Sequence, residues 1–235
     1  MAIADLRREY TLGELRRKDL QPDPLDQFRI WFKDAAGTRS GGRFRKFLVG
    51  LHKSFMMLTG SQPPDVSAVA LATADRAGTP SVRIVLLKGV DQRGFIFFTN
   101  YDSRKGTELS ENPRAALVFY WADLERQVCV AGSVEKVSPD ESDAYFQSRP
   151  WGSRLATWVS RQSKTVQNRA ELEQKWTELE TTHKQKKIER PPYWGGYVLI
   201  PKRIEFWQGG ANRLHDRLQY TRQADNQWTI ERLSP

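Results

Sequence analysis

The chain has 235 residues, a formal net charge of +9 and 39% hydrophobic residues, among them 8 Trp and 11 Phe. That length suits one domain of generous size or one domain with an appended arm, and the apolar content excludes disorder throughout. The basic balance favours an anionic partner, whether nucleic acid, a membrane surface or a phosphorylated small molecule, without choosing among them.

Residues 1–22 form a basic arm, with Arg7, Arg8, Tyr10, Arg16, Arg17 and Lys18, expected to order only against something else. Asp23-Pro24 opens a helix with Phe28, Trp31 and Phe32 on one buried face. Residues 36–42 are a flexible break, and a basic amphipathic helix follows, closed by Gly60. From 66 the period changes to that of strands: 66–73, 80–90, 94–100, 115–121 and 127–137, with a helix over 103–111 ended by Asn112-Pro113. Ser138-Pro139-Asp140-Glu141 is a capping box that starts the next helix, and one or two helices cover 151–184. Final strands fall near 195–208, 214–222 and 227–233. Short connections make the pairing mostly antiparallel. The expectation is an α+β protein, mainly antiparallel β, built as a closed or nearly closed barrel with surrounding helices. Its division is an arm with helices and a basic insertion over 1–62, then a main domain over 63–235.

The lone Cys129 lies in an apolar strand and reads as a small buried hydrophobe. It permits no internal disulfide, and no apolar run has the length of a signal peptide core or a membrane span. A soluble cytoplasmic protein is expected. His52, His183 and His215 are scattered, so no metal spacing exists.

Three constellations could carry chemistry. The strand 81–88, Ser-Val-Arg-Ile-Val-Leu-Leu-Lys, implies burial on both faces with Arg83 and Lys88 at its rims; a surface arginine and a snorkelling lysine read equally well. Thr99 to Gly106 runs from a strand end into a helix N-terminus carrying Arg104 and Lys105, a good phosphate site without the spacing of a Walker loop or dinucleotide fingerprint. Tyr145 and Arg149 share a helix face, Pro150 breaks that helix and Ser153 follows, a set suited to a second phosphate monoester. Beyond Trp207, the Gly209-Gly210-Ala211-Asn212 turn is expected to exploit the tolerance of Gly and Asn for positive φ. On a strand, Arg213, His215 and Arg217 would all point to one face, opposite something anionic or merely into solvent.

Together these motifs resemble the pyridoxamine 5'-phosphate oxidase family. The matching stretches include Arg83-Ile-Val-Leu-Leu-Lys88, Phe98-Thr-Asn100 with Ser103-Arg-Lys105, Glu125-Arg-Gln-Val128, Tyr145-Phe-Gln-Ser-Arg-Pro150, Trp158-Val-Ser-Arg-Gln-Ser163, Ile204-Glu-Phe-Trp-Gln-Gly209 and Arg213-Leu-His-Asp-Arg217. The resemblance implies a homodimeric FMN-binding split β-barrel with two sites at the subunit interface. Carried over by position, Arg83, Ile84, Val85, Leu86, Leu87, Lys88, Phe98, Thr99, Arg104, Lys105, Gln127, Gln162, Ser163, Trp207 and Arg217 would hold FMN. Lys88, Tyr145, Arg149 and Ser153 would grip the substrate phosphate, with Arg213 and His215 over the pyridine ring and Arg7 and Tyr10 in a closing arm.

The implied reaction oxidises pyridoxamine or pyridoxine 5'-phosphate to pyridoxal 5'-phosphate. Hydride passes from C4' to the flavin, and dioxygen becomes hydrogen peroxide. Arg213 and His215 would be the catalytic pair. Two departures stand out, the longer basic segment 36–62 and Leu155-Ala156-Thr157 before Trp158, and neither is expected to touch a site residue. A related split-barrel FMN flavoprotein acting on another substrate is the alternative. A nucleic-acid binder is the more distant one; it would bind less tightly as salt rises. No nucleic acid, membrane or metal partner is expected.

Overall fold

The computed structural model describes residues 9–37, 65–184 and 186–235. Arg7 and the helix expected over 43–60 lie outside them. Among the described residues eight strands form one sheet: β1 (Ala68–Ala74), β2 (Pro80–Val90), β3 (Phe95–Asn100), β4 (Arg114–Trp121), β5 (Arg126–Lys136), β6 (Trp194–Gln208), β7 (Asp216–Arg222) and β8 (Trp228–Leu233). Their order is β3-β2-β1-β4-β5-β6-β7-β8, and a further β3–β6 pairing closes the first six into an antiparallel split barrel. The helices are α1 (Pro24–Ala35), α2 (Arg104–Glu111), α3 (Pro139–Ser148), α4 (Trp151–Val159) and α5 (Arg169–His183).

The chain divides into two compact units. One comprises residues up to Ala70, Leu117–Ala131 and Pro201–Pro235; the other comprises Leu71–Ala116 and Gly132–Ile200. In the first, Asp23 caps α1 by accepting from the Leu25 N–H (2.7 Å), with Pro24 in the first turn where its missing N–H costs nothing. The helix buries Phe28 against Phe119 (4.9 Å between rings) and Trp31 against Phe206 (5.1 Å). The described part of the arm, from residue 9 onward, is ordered against this same chain. The Thr11 and Leu12 N–H groups both donate to Glu125, and Leu15 N–H donates to Asp216.

In the second unit, Phe146, Leu155, Ile188 and Trp194 form a core that Phe98 and Tyr145 pack against. Ser138 accepts from the Glu141 N–H at the start of α3, but the Glu141 carboxylate turns to Arg93, so only half of the expected capping box forms. The α5 helix buries none of its residues, as its charge pattern predicts.

Two expectations are corrected. β2 is not buried on both faces: Val82, Ile84 and Leu86 are 69%, 65% and 39% exposed. Its side chains alternate, and only the face carrying Ser81, Arg83, Val85 and Leu87 is covered, until a bulge between Leu87 and Gly89 breaks the register with β3. Nor do Arg213, His215 and Arg217 share a strand face. Ala211–Arg213 is a single 3-10 turn and β7 begins only at Asp216.

Candidate active site

A cavity of about 850 Å³ opens in the second unit between β2, the end of β3, the start of α2 and the α3–α4 break. At one pole α2 begins at Ser103, whose hydroxyl caps the helix by accepting from the Gly106 N–H; the first-turn amides it does not cap have no intrahelical partner. Gly106 is required there by space. A Cβ at that position would stand 2.0 Å from the Tyr101 carbonyl oxygen, so the helix enters closer to the preceding loop than any side chain allows.

Lys105 is buried and its Nζ donates to Thr99 Oγ1, Ser103 Oγ and Gln162 Oε1, each at 2.9 Å. All three acceptors are neutral. Burial, seconded by the charge of Arg83 and partly offset by Glu108, lowers its pKa to about 8.

Arg83 and Arg104 complete this pole, and both bind one carboxylate that sequence reasoning missed. Glu108 accepts from Arg104 Nε (2.8 Å), Arg83 Nη2 (3.2 Å), Ser81 Oγ (2.6 Å) and the Thr73 hydroxyl. Burial alone would raise its pKa, but the hydrogen bonds from Ser81, Thr73, Arg104 and Arg83 outweigh that and hold it down to about 2. The available signal was Glu108 one helical turn beyond Arg104, the spacing of an ion pair.

The other pole is aromatic and cationic. Tyr145 stacks on Phe98 (3.9 Å) and lies nearly parallel to Trp194 (interplanar angle 7°). The Arg149 guanidinium sits 4.7 Å from the Trp194 ring centre and donates to Thr157 Oγ1 at 2.9 Å. Burial lowers the Arg149 pKa and raises that of Tyr145. Thr157 also lines the cavity, which corrects the expectation that the 155–157 departure touches no site residue. Arg149 caps the end of α3 and Thr157 lies in the last turn of α4, beyond the break at Pro150.

The structure therefore brings together Arg83, Ile84, Val85, Leu86, Lys88, Phe98, Thr99, Arg104, Lys105, Tyr145, Arg149, Ser153, Gln162 and Ser163 around one cavity. Leu87 is not among them; it is buried in the core. Gln127, Trp207, Arg213, His215, Arg217 and Tyr10 belong to the first unit and form a second group. There, Tyr10 packs edge-on against Trp207 (5.5 Å) and His215 (5.3 Å). Gly210 N–H donates to His215 Nδ1 (3.1 Å), which places the ring proton on Nε2 and leaves that nitrogen as a donor.

Asn212 (φ 54°) and Arg213 (φ 62°) are both left-handed. The neighbouring glycines are not; they are needed for space, because a Cβ on Gly209 would come within 2.6 Å of Tyr10 and one on Gly210 within 2.4 Å of the Leu214 carbonyl. Arg217 pairs with both oxygens of Glu205 (2.8 and 3.0 Å). Gln127 donates to Cys129 Sγ. That half-buried thiol is pushed up to about 11, by burial first and then by Glu205.

Solved structures share this architecture. A pyridoxamine 5'-phosphate oxidase-related, FMN binding protein from Nostoc punctiforme superposes with a TM-score of 0.58 at 18% identity, covering 84% of this chain and 100% of that one. The crystal structure of PhzG from Burkholderia lata, in complex with tetrahydrophenazine-1-carboxylic acid, gives a TM-score of 0.70 at 31% identity over 80% of this chain and 91% of that one. The fold is that of the split-barrel flavoprotein class.

The sequence model described as pyridoxamine 5'-phosphate oxidase matches residues 62–183, and that of the pyridoxine 5'-phosphate oxidase C-terminal dimerisation region matches 194–235. A pyridoxine/pyridoxamine 5'-phosphate oxidase from Paraburkholderia phymatum is 51% identical over 99% of both chains. This chain belongs to the pyridoxamine 5'-phosphate oxidase family and is an oxidoreductase.

Proposed function

We propose that the protein oxidises pyridoxamine 5'-phosphate and pyridoxine 5'-phosphate to pyridoxal 5'-phosphate with FMN as cofactor and dioxygen as acceptor. The amine route consumes dioxygen and water and releases ammonia and hydrogen peroxide; the alcohol route consumes dioxygen and releases only the peroxide. The observation that carries this reading is a single cavity with two cationic poles, one at the N-terminus of α2 and one at the α3–α4 break, joined by the aromatic Phe98, Tyr145 and Trp194. Two phosphorylated rings match that arrangement.

The donor set of the first pole suits the cofactor phosphate: two guanidiniums, a buried ammonium and free helix amides. Arg83, Arg104, Lys105 and Ser163 would hold it, and Gln162 would orient Lys105. FMN, when bound, supplies the two-electron acceptor that takes hydride from the substrate carbon and passes the electrons to dioxygen.

At the second pole Lys88, Arg149, Tyr145 and Ser153 would grip the substrate phosphate, with Arg149 fixed between Trp194 and Thr157. That pole favours a phosphorylated substrate over the unphosphorylated alternatives open to a related flavoprotein. Arg213 would orient the substrate ring, and His215 would donate from Nε2 to its polar edge. The dimerisation region supports a homodimer with its sites at the interface, in which Gln127, Trp207, Arg213, His215 and Arg217 of one copy complete the cavity of the other. Among the described residues no helix is long and apolar enough to cross a membrane, and we place the reaction in the cytoplasm.

The test is direct. The purified protein should show a flavin absorption spectrum and form pyridoxal 5'-phosphate from both substrates only in the presence of oxygen. A preparation that stays colourless after incubation with FMN would overturn the reading.

A further inference from the structure

Among the described residues Glu108 is the only carboxylate within hydrogen-bonding reach of Arg83 and Arg104, and the reaction itself has no use for it. We propose that Glu108 is a positioning residue for the cofactor phosphate: it fixes both guanidiniums and sets the charge of the pole to that of a phosphate dianion. This rests on reading the α2 pole as the FMN phosphate site.

The hydrogen bonds run in one direction. Arg83 donates through Nη1 to Thr73 and through Nη2 to Ser81, and both hydroxyls donate onward to Glu108 Oε2, which also accepts from Arg83 directly. Arg104 takes the other oxygen. Every neighbour of this carboxylate is a donor, so no orientation of an amide in its place satisfies the set, because its NH2 would face a donor. The wall thus holds Arg83 from two sides by groups whose own hydrogens are committed, and Nη1 also donates to the Leu71 carbonyl, so what the guanidinium offers an arriving phosphate without reorganisation is its fixed charge and its Nε–H.

The charges agree with this. Arg83, Arg104 and Lys105 set against Glu108 leave a formal +2, and a phosphate monoester carries roughly −1.5 to −2 at neutral pH. A carboxylate serving only to hold the fold would not need to touch both cavity arginines. With its side chain only 4% exposed, it is costly to bury unless it is fully paired.

The experiment compares FMN with riboflavin, which has the same ring system and no phosphate. The full-length protein, freed of cofactor, is titrated with each by flavin fluorescence quenching, beside Glu108→Gln. Wild type should prefer FMN strongly. In Glu108→Gln the FMN affinity should fall about tenfold with riboflavin binding unchanged, so that the preference narrows by the same factor. An unchanged or wider preference overturns the proposal, and so does an equal fall for both ligands, which marks a purely structural role. A wild type indifferent to the phosphate removes the reading of the pole itself and the proposal with it. Thr73→Ala, which deletes one hydroxyl of the relay without unpairing a buried charge, provides the same measurement should Glu108→Gln fail to fold. It should narrow the preference in the same sense by a smaller factor, and no narrowing there overturns the proposal.

Discussion

The two groups of site residues are built on opposite physical terms. Around the cavity Lys105 is buried and Arg83 and Arg149 are half-buried, and these and the more exposed Arg104 are held by neighbours that are themselves fixed: Lys105 by three neutral oxygens, Arg83 and Arg104 by Glu108, Arg149 by a ring and a hydroxyl. Around Arg213 the chain is exposed and turns through two consecutive left-handed residues, and its closest packing is against Tyr10, a side chain of the arm. The first arrangement suits permanent binding of a cofactor, because an unliganded wall that is already in place wastes little affinity on ordering. The second suits a group that must admit substrate and release product, since low local stability goes with regions that open. Lost rigidity should therefore unmake the first region and only detune the second.

The largest effect is expected from Gly106→Ala. Its Cβ would meet backbone at 2.0 Å, which no rotamer change relieves, so α2 must move and the cationic pole with it. A loss of about 3 kcal/mol or more in urea denaturation is expected, together with loss of retained flavin. A stable, yellow Gly106→Ala protein would show that this wall is not rigid.

Next comes Arg213→Ala. Alanine keeps the Cβ, so the strain at φ 62° is the same in both proteins and the comparison isolates the guanidinium. Turnover should drop on the order of 10²-fold, as for removal of one positioned charged donor, while flavin content stays that of wild type. Normal turnover would remove Arg213 from the catalytic role, and loss of flavin would place it in the cofactor site instead.

The third expectation turns on pH. Lys105 has a folded pKa lowered to about 8, below its ordinary 10.5. A bound phosphate favours the protonated amine, so FMN affinity should fall as pH rises through 8, by at most roughly tenfold per pH unit. The stability of the protein without cofactor should change the other way. The unfolded chain holds this proton up to 10.5 and the folded one releases it near 8, so the contribution of Lys105 to stability rises across that window. Binding and melting measured from pH 7.5 upward check both signs, and Lys105→Met should flatten both profiles. Parallel trends would contradict the assignment.

Much of this was legible in the sequence, and the reasons differ by region. Strand periods, the Ser138 cap and the helix start at Ser103 are local signals, and they carried the fold and the cationic pole at the start of α2. Burial of β2 on both faces was misjudged because an apolar run cannot tell a covered face from one left open in a single chain, as Val82 and Ile84 are. Placing Arg213 on a strand failed for a different reason. Alternating Arg, His and Arg satisfies a period of two, yet the turn extends through Arg213, and nothing local announces a left-handed arginine. Glu108 and Thr157 were missed because each acts through another side chain brought near by tertiary folding.

The smallest expected effect is that of Gly209→Ala, the counterpart of Gly106→Ala in the open region. The new Cβ would stand 2.6 Å from Tyr10, but here the obstacle is one residue of an arm held by backbone hydrogen bonds to Glu125 and Asp216. The arm can shift where the helix of the other region cannot. Folding should weaken by only about 1 kcal/mol, with flavin retained. The change should be read in the substrate KM, raised a few-fold at unaltered flavin content, and in faster proteolysis within residues 9–15 as Tyr10 leaves Trp207 and His215. If Gly209→Ala instead costs as much stability as Gly106→Ala, the arm is as firmly built as the cavity wall, and the contrast between the two regions lies only in which ligand each meets.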